Sequence, residues 1–400
     1  MSETETIVRI AAKGDGVTAS GRHVPRAVTG DSVLPDGSVE PGPHHVDPPC
    51  LHFAQCGGCQ LQHADDAALR QFVTERVLLA ADGQGVVPAT VLDTHLSPPR
   101  SRRRTTLHFQ RTGKRIVLGF REGRGRRIVD LAECHVLAPE LFALVGPLRG
   151  LLAGWPQARA GDVALTMTDQ GVDCELRGAA PEGLEQTEAL TEFARAHGLA
   201  RLSVDHGFGP ETVWEPEPVT VTLRGVPVGY PPGAFLQATP DAQVAMVEDA
   251  ARWLSEAATV ADLFAGLGTF AFALGDKRVV AIEAARDSHL ACKAAAGAHG
   301  RAVAPLHRDL FRKPLDAEEL ARFDAVILDP PRAGAREQVA QIAASDVTRV
   351  VYASCNPASW ARDAKQLAES GFALAAVRPI GQFRWSTHVE LTSLFTREGR

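Results

Sequence analysis

An α/β protein, with a doubly wound and mostly parallel C-terminal sheet, is predicted from three features of this 400-residue sequence. Beyond Gln237, apolar strand-like runs alternate regularly with helical patterns. The first of those runs leads into a glycine-bearing turn, Asp262-Leu-Phe-Ala-Gly266-Leu-Gly268, which opens a helix. Upstream, strands and helices follow one another in mixed order, the grammar of an α+β region.

Residues 1–48 read as a small β segment and linker. Short strands are expected at 7–10, 16–18, 22–25 and 31–34, separated by Gly and Pro and too few for a complete five-stranded barrel. Four prolines between 41 and 49 exclude a helix or central strand there. Residues 49–230 form the α+β centre. A helix is expected at 65–81, strands at 105–110, 115–120 and 128–131, a helix at 139–152, and strand pairs at 163–168 with 172–176 and at 219–223 with 226–229. Residues 231–400 supply a helix at 241–254 and strands at 259–263, 278–282, 302–306, 325–328, 349–353, 372–378 and 389–395. Ligands of such a sheet sit beyond the carboxyl ends of its strands.

A 45% hydrophobic and 22% charged composition excludes a disordered chain. No apolar run reaches membrane-spanning length, and the N-terminus lacks the order of a signal peptide, so a cytoplasmic protein with no membrane association is expected. The net charge of −6 hides a segregation: Arg100 to Arg127 carries eleven Lys or Arg and one acid, Glu122. That strip reads as a phosphate-contacting face, with Arg102, Arg103, Arg104, Lys114 and Arg115 as the RNA-binding candidates. A solvated basic hairpin is the competing reading. Close cysteine spacing in a cytosolic chain points to metal or catalysis rather than disulfides.

Gly266 and Gly268 fit a loop whose backbone approaches a ligand closely. Glu283, 21 residues after Asp262, ends the second strand, where a carboxylate can accept from two ribose hydroxyls. The loop also satisfies a lenient dinucleotide fingerprint. Asp262, Asp309 and Asp329 at successive strand ends favour S-adenosylmethionine, because a pyrophosphate is repelled by carboxylates and a sulfonium is not. This part of the chain resembles class I methyltransferases.

Three motifs stand further on: Asp329-Pro-Pro-Arg332, Ser354-Cys355-Asn356-Pro357 and His388-Val-Glu390. They supply a candidate nucleophile, Cys355, a polar clamp and a candidate base, Glu390. Uracil C5 is a poor nucleophile until a thiolate adds to C6, and a base must then remove the C5 proton. Enzymes that methylate exocyclic amines end the Asp-Pro-Pro loop in an aromatic; Arg332 takes that place and points away from amines.

With these motifs assembled, the chain is similar to the bacterial RNA 5-methyluridine (uracil-C5) methyltransferase family over nearly its full length, and most of all to its iron-sulfur-containing 23S rRNA branch. The resemblance implies an abbreviated TRAM-like segment, a cluster-bearing centre and a class I methyltransferase domain. It implies donor binding by Gln237, Phe264, Glu283 and Asp329, with Cys355 as nucleophile and Glu390 as proton acceptor. Thr269 and Asp309 depart from positions where members carry Asn.

Cys50, Cys56, Cys59 and Cys134 can hold an iron-sulfur cluster or tetrahedral zinc. The choice of a [4Fe-4S] cluster comes from the resemblance, as does 23S rRNA over transfer RNA. No obligate protein partner is implied. The rival readings are methylation of another RNA or protein atom, and a non-catalytic iron-sulfur RNA-binding protein.

Overall fold

The computed structural model describes residues 4–123 and 125–398. Four sheets organise the chain. The first has five short strands, in the order His23–Val24, Gly16–Thr18, Glu5–Ile10, Ser32–Val33, Val39–Glu40, all antiparallel. Four strands are expected from the sequence; the structure adds a fifth, Val39–Glu40, two residues long.

The central sheet has six strands, in the order Pro210–Trp214, Leu199–Asp205, Gly171–Arg177, Ala160–Thr168, Arg104–Thr112, Arg115–Gly119. Its one parallel pair, Gly171–Arg177 with Leu199–Asp205, is joined by the helix Gly183–Ala196, as a parallel crossover requires. Local sequence patterns predict no element over 183–214, where the structure places this helix and two strands. The expected strand at 128–131 is reduced to a bridge between Arg121 and Ile128. Gly119 permits that approach, since a Cβ there would lie 2.1 Å from the Val129 carbonyl. The expected helix at 139–152 is split into Pro139–Ala143 and Val145–Ala153. A separate hairpin, Thr220–Leu223 with Val226–Gly229, turns through Arg224 and Gly225, both at positive φ.

The C-terminal sheet has eight strands, in the order Val303–His307, Arg278–Glu283, Thr259–Leu263, Ala325–Leu328, Arg349–Ser354, Glu390–Thr396, Ala373–Gly381, His95–Leu96. The first five are parallel; Glu390–Thr396 runs antiparallel to both neighbours. The chain order reverses at Thr259–Leu263, which opens a crevice at its carboxyl end. Two apolar cores cover the two faces of this sheet: Phe72, Tyr352 and Trp360 belong to one, Met246, Phe270 and Phe272 to the other.

Part of that covering comes from far upstream. Asp65 caps the helix Asp66–Asp82, accepting from the Ala68 amide at 2.8 Å. This helix packs on the helix Pro357–Glu369 and on Ala373–Gly381, and His95–Leu96 extends the same sheet. Residues 66–96, sequentially inside the 49–230 region, are therefore built onto the C-terminal sheet. No helix among the described residues is long and apolar enough to cross a membrane.

Candidate active site

Cys355 follows the strand Arg349–Ser354, and the next residue starts a helix. Asn356 has extended backbone, its side chain accepts from the Ala358 amide at 3.2 Å, and Pro357 occupies the first turn. The Asn356 amide nitrogen also donates to the Arg332 carbonyl at 3.0 Å, which accepts from Ser359 Oγ at 2.9 Å. Asn356 and Ser359 thus hold the Asp-Pro-Pro-Arg loop, the expected polar clamp, beside the thiol.

Glu390 opens the neighbouring strand, whose register sets Leu391 opposite Ser354. The thiol and the carboxylate therefore stand at adjacent strand ends. Burial pushes the Glu390 carboxyl up to about 7, opposed by a hydrogen bond from Gln382 and by the Arg104 charge. Burial, then the charges of Glu390 and Asp262, raise Asp329 well above the usual carboxylate range. The Cys355 thiol is also raised, first by burial and then by Glu390 and Asp329, with Arg332 pulling it down. The start of a helix is present, as the sequence indicated, but it does not outweigh these neighbours.

Gln237 Nε2 donates to Asp329 Oδ2 at 3.3 Å and brings the segment 235–237 to the same edge. Beside it lies the glycine turn. Phe264 has φ +64°, uncommon for a residue with a side chain. Gly268 has φ +90°, and a Cβ there would meet Phe272 and Cys292 Sγ within 2.9 Å, so only glycine fits. Glu283 accepts from the Gly266 amide at 2.8 Å and the Ala285 amide at 2.6 Å, so it shapes the turn. Asp262 is fully buried and accepts from the Ala271 amide at 3.0 Å. Asp309 accepts from the Phe311 amide at 2.9 Å, and the Phe311 ring lies 5.2 Å from that of Phe264. Cys292 and Cys174 are both buried.

A cleft of about 680 Å³ separates the central sheet from this edge, and Cys355, Glu390, Arg102, Arg104 and Phe235 line it. The Arg104 guanidinium lies 4.5 Å from the Phe235 ring centroid, and that of Arg102 lies 5.4 Å from the Phe383 ring. The basic strip is therefore divided. Arg102 and Arg104 face the cleft. Arg103 points to the other side, donating to the Gln237 carbonyl at 2.9 Å and to Gln243 Oε1 at 2.6 Å, a strut from the edge of the central sheet to the segment at 237 and the helix Pro240–Trp253. Lys114 and Arg115 are exposed at the hairpin turn, away from the cleft lining. Arg124 of the strip lies outside the described residues.

Cys50, Cys56, Cys59 and Cys134 all line one small cavity next to the cleft. All four are free thiols, and Cys59 is raised to about 12 by burial and then by the other three. Cys134, 75 residues beyond Cys59 in sequence, is brought to the same wall, which is the convergence a shared ligand needs. Among the described residues, however, no group of three or more His, Cys, Asp or Glu side chains stands in a metal-holding arrangement. The residue types and their common cavity fit a thiolate-bound group; the side-chain positions do not by themselves form its coordination shell.

The sequence reading missed Gln382. It follows the strand Ala373–Gly381 in an irregular segment, and a lone Gln there carries no local signal; only its bonds to Gln237 and Glu390 reveal it.

The tRNA (Uracil-5-)-methyltransferase family matches residues 306–398. A Zymomonas mobilis protein named as an uncharacterized RNA methyltransferase is 49% identical over 98% of this chain and 99% of its own. The 23S rRNA (uracil(1939)-C(5))-methyltransferase of Pectobacterium atrosepticum is 30% identical over 99% of this chain and 94% of its own. Among solved structures, the Pyrococcus abyssi tRNA (uracil-54, C5)-methyltransferase in complex with S-adenosyl-L-homocysteine superimposes with a TM-score of 0.76 at 20% identity, over 98% of this chain and 100% of that one, a likeness of fold.

Proposed function

This chain belongs to the RNA uracil-C5 methyltransferase family, and we propose that it methylates uridine C5 in 23S rRNA through a covalent Cys355 adduct. S-adenosylmethionine is the methyl donor of the family's fold, and Gln237, Phe264, Gly266, Gly268, Glu283, Asp309 and Asp329 are the residues proposed to hold it. The observation that carries the catalytic reading is the convergence of Cys355 and buried Glu390 at adjacent strand ends on one cleft.

Cys355, as thiolate, adds to uracil C6, and the electron pair displaced from C5=C6 makes C5 the nucleophile that takes the methyl group as the sulfonium S–CH3 bond breaks and S-adenosylhomocysteine leaves. Glu390 then accepts the C5 proton. The electrons of that C–H bond restore C5=C6 as the C6–S bond breaks and the thiolate leaves. Arg102 and Arg104, each over an aromatic ring, suit a base splayed from its strand with phosphates nearby. Arg103, a strut, supports the cleft indirectly; Lys114 and Arg115 reach outlying RNA backbone.

The four upstream thiols are proposed to hold a [4Fe-4S] cluster, which when bound cross-links the Cys50–Cys59 loop to Cys134. Iron and acid-labile sulfide in anaerobically purified protein test it: zinc instead, or neither, overturns the assignment. The target is read from the Pectobacterium relative. Mapping 5-methyluridine in a deletion strain tests it: loss from 23S rRNA supports the reading, and loss from transfer RNA alone contradicts it.

A further inference from the structure

Gln382 is buried, and all of its hydrogen-bonding capacity is used. Its Oε1 accepts from the Ala238 amide at 3.0 Å and the Thr239 amide at 3.4 Å. Backbone amides can only donate, so the side-chain orientation is decided by the neighbours rather than left ambiguous. The two hydrogens on Nε2 must then point the other way, one to Gln237 Oε1 at 3.1 Å and one to Glu390 Oε2. Because Gln237 accepts with its oxygen, its own Nε2 faces Asp329, to which it donates. The result is a directed chain of hydrogen bonds. It starts at two backbone amides, passes through Gln382, and branches to Glu390 and, by way of Gln237, to Asp329.

We propose that Gln382 is the positioning residue of the proton-transfer step: it ties back Glu390 Oε2, presents Oε1 to the C5 proton, and couples that carboxylate to Asp329 at the donor site. The proposal rests on Glu390 being the base. In the step itself Oε1 gains the C5 proton, the C5–H electrons become the C5=C6 bond, and the C6–S electrons return to Cys355. Gln382 changes no bond; it holds the acceptor still and favours its ionised form. The charged or titratable groups around Glu390 are Cys355, from the adjoining strand end, Asp329, from the strand end beyond it, and Arg104, from the central sheet. Burial disfavours ionisation of Glu390, and the Gln382 hydrogen bond and the Arg104 charge favour it. Removing the Gln382 donor leaves burial opposed by Arg104 alone.

The test uses the full chain, methyl-labelled S-adenosylmethionine and a uridine-containing ribosomal RNA transcript. In Gln382→Met the product-forming rate at pH 7 is expected to fall about 100-fold, and its acidic limb to move to higher pH. A methyl-labelled RNA–protein complex that survives denaturant should accumulate, because the methyl group arrives and the proton stays. S-adenosylhomocysteine should bind several-fold more weakly, since Gln237 loses its partner. Gln382→Glu keeps an acceptor for the two backbone amides and carries the test if Gln382→Met does not fold. Its added carboxylate should also move the acidic limb upward. A wild-type pH profile and no trapped complex in the folded variants would overturn the proposal, whatever the rate. Glu390→Gln separates the two failures. If it traps the complex and the Gln382 variants do not, only the positioning role fails; if it turns over normally, the base assignment itself is wrong.

Discussion

Cys355 and the four upstream cysteines stand on two adjoining cavities whose walls share Gly58, Arg102, Phe120 and Val136. Their surroundings differ in kind. The charges that act on Cys355 are two carboxylates and one arginine. Cys59 is acted on by the other three thiols. Burial raises both thiols, so burial does not distinguish them. The partners do: a thiol beside a base suits bond formation and release, whereas thiols facing one another suit a shared cation.

The sharpest way to break this comparison is to remove one thiol from each group. Cys355→Ala should lower methyl transfer to RNA by at least about 1,000-fold while leaving the melting temperature within a few degrees, as calorimetry would show. Cys56→Ser should do the opposite. Its iron content should drop below half of wild type and its melting temperature fall, with activity lost only as the folded fraction falls. Equal effects on activity and stability in both variants would erase the distinction.

A third effect comes from pH. Glu390 must be ionised to accept a proton, so turnover should fall about tenfold per unit below its folded pKa of about 7. Stability runs the other way. The folded pKa is raised above the ordinary 4.5, so Glu390 costs nothing below pH 4.5, and stability is lost as pH rises to about 7. Above that the penalty is on the order of 3 kcal/mol. Glu390→Gln should therefore raise the melting temperature at pH 8 and leave it unchanged at pH 4.5.

Smaller effects separate the arginines. Arg103→Ala removes two hydrogen bonds to the segment at 237 and the helix Pro240–Trp253 and should destabilise the fold by about 1–3 kcal/mol, with the salt dependence of RNA binding unchanged. Lys114→Ala with Arg115→Ala should leave stability alone and reduce the salt slope of RNA binding by about 2. A filter-binding series in salt would reveal a reversal of these two outcomes.

Much of the site was legible because its signals are local. The Ser-Cys-Asn-Pro run encodes a strand end, a cap and a first-turn proline within four residues, and these set the thiol's position directly. The positive-φ glycines of the donor turn are similarly forced by their own backbone. The arginine strip was less legible. Its density was plain, but which side each arginine takes depends on strand alternation and on what lies across the cleft. Arg103 finds Gln243, 140 residues away, and so leaves the face its neighbours share.

By itself the sequence determined the alternating C-terminal strands, the three catalytic-edge motifs and the four grouped cysteines, because each follows from periodicity or turn chemistry over a few residues. Only the tertiary structure decided that residues 66–96 pack on the C-terminal sheet and that Gln382 links Glu390 to Gln237. Those contacts span long stretches of chain: Arg378 and the Asp93 carbonyl are 285 positions apart. Such pairings are selected by the closing of buried surfaces and the need to satisfy buried polar groups, and no local pattern of residues encodes them.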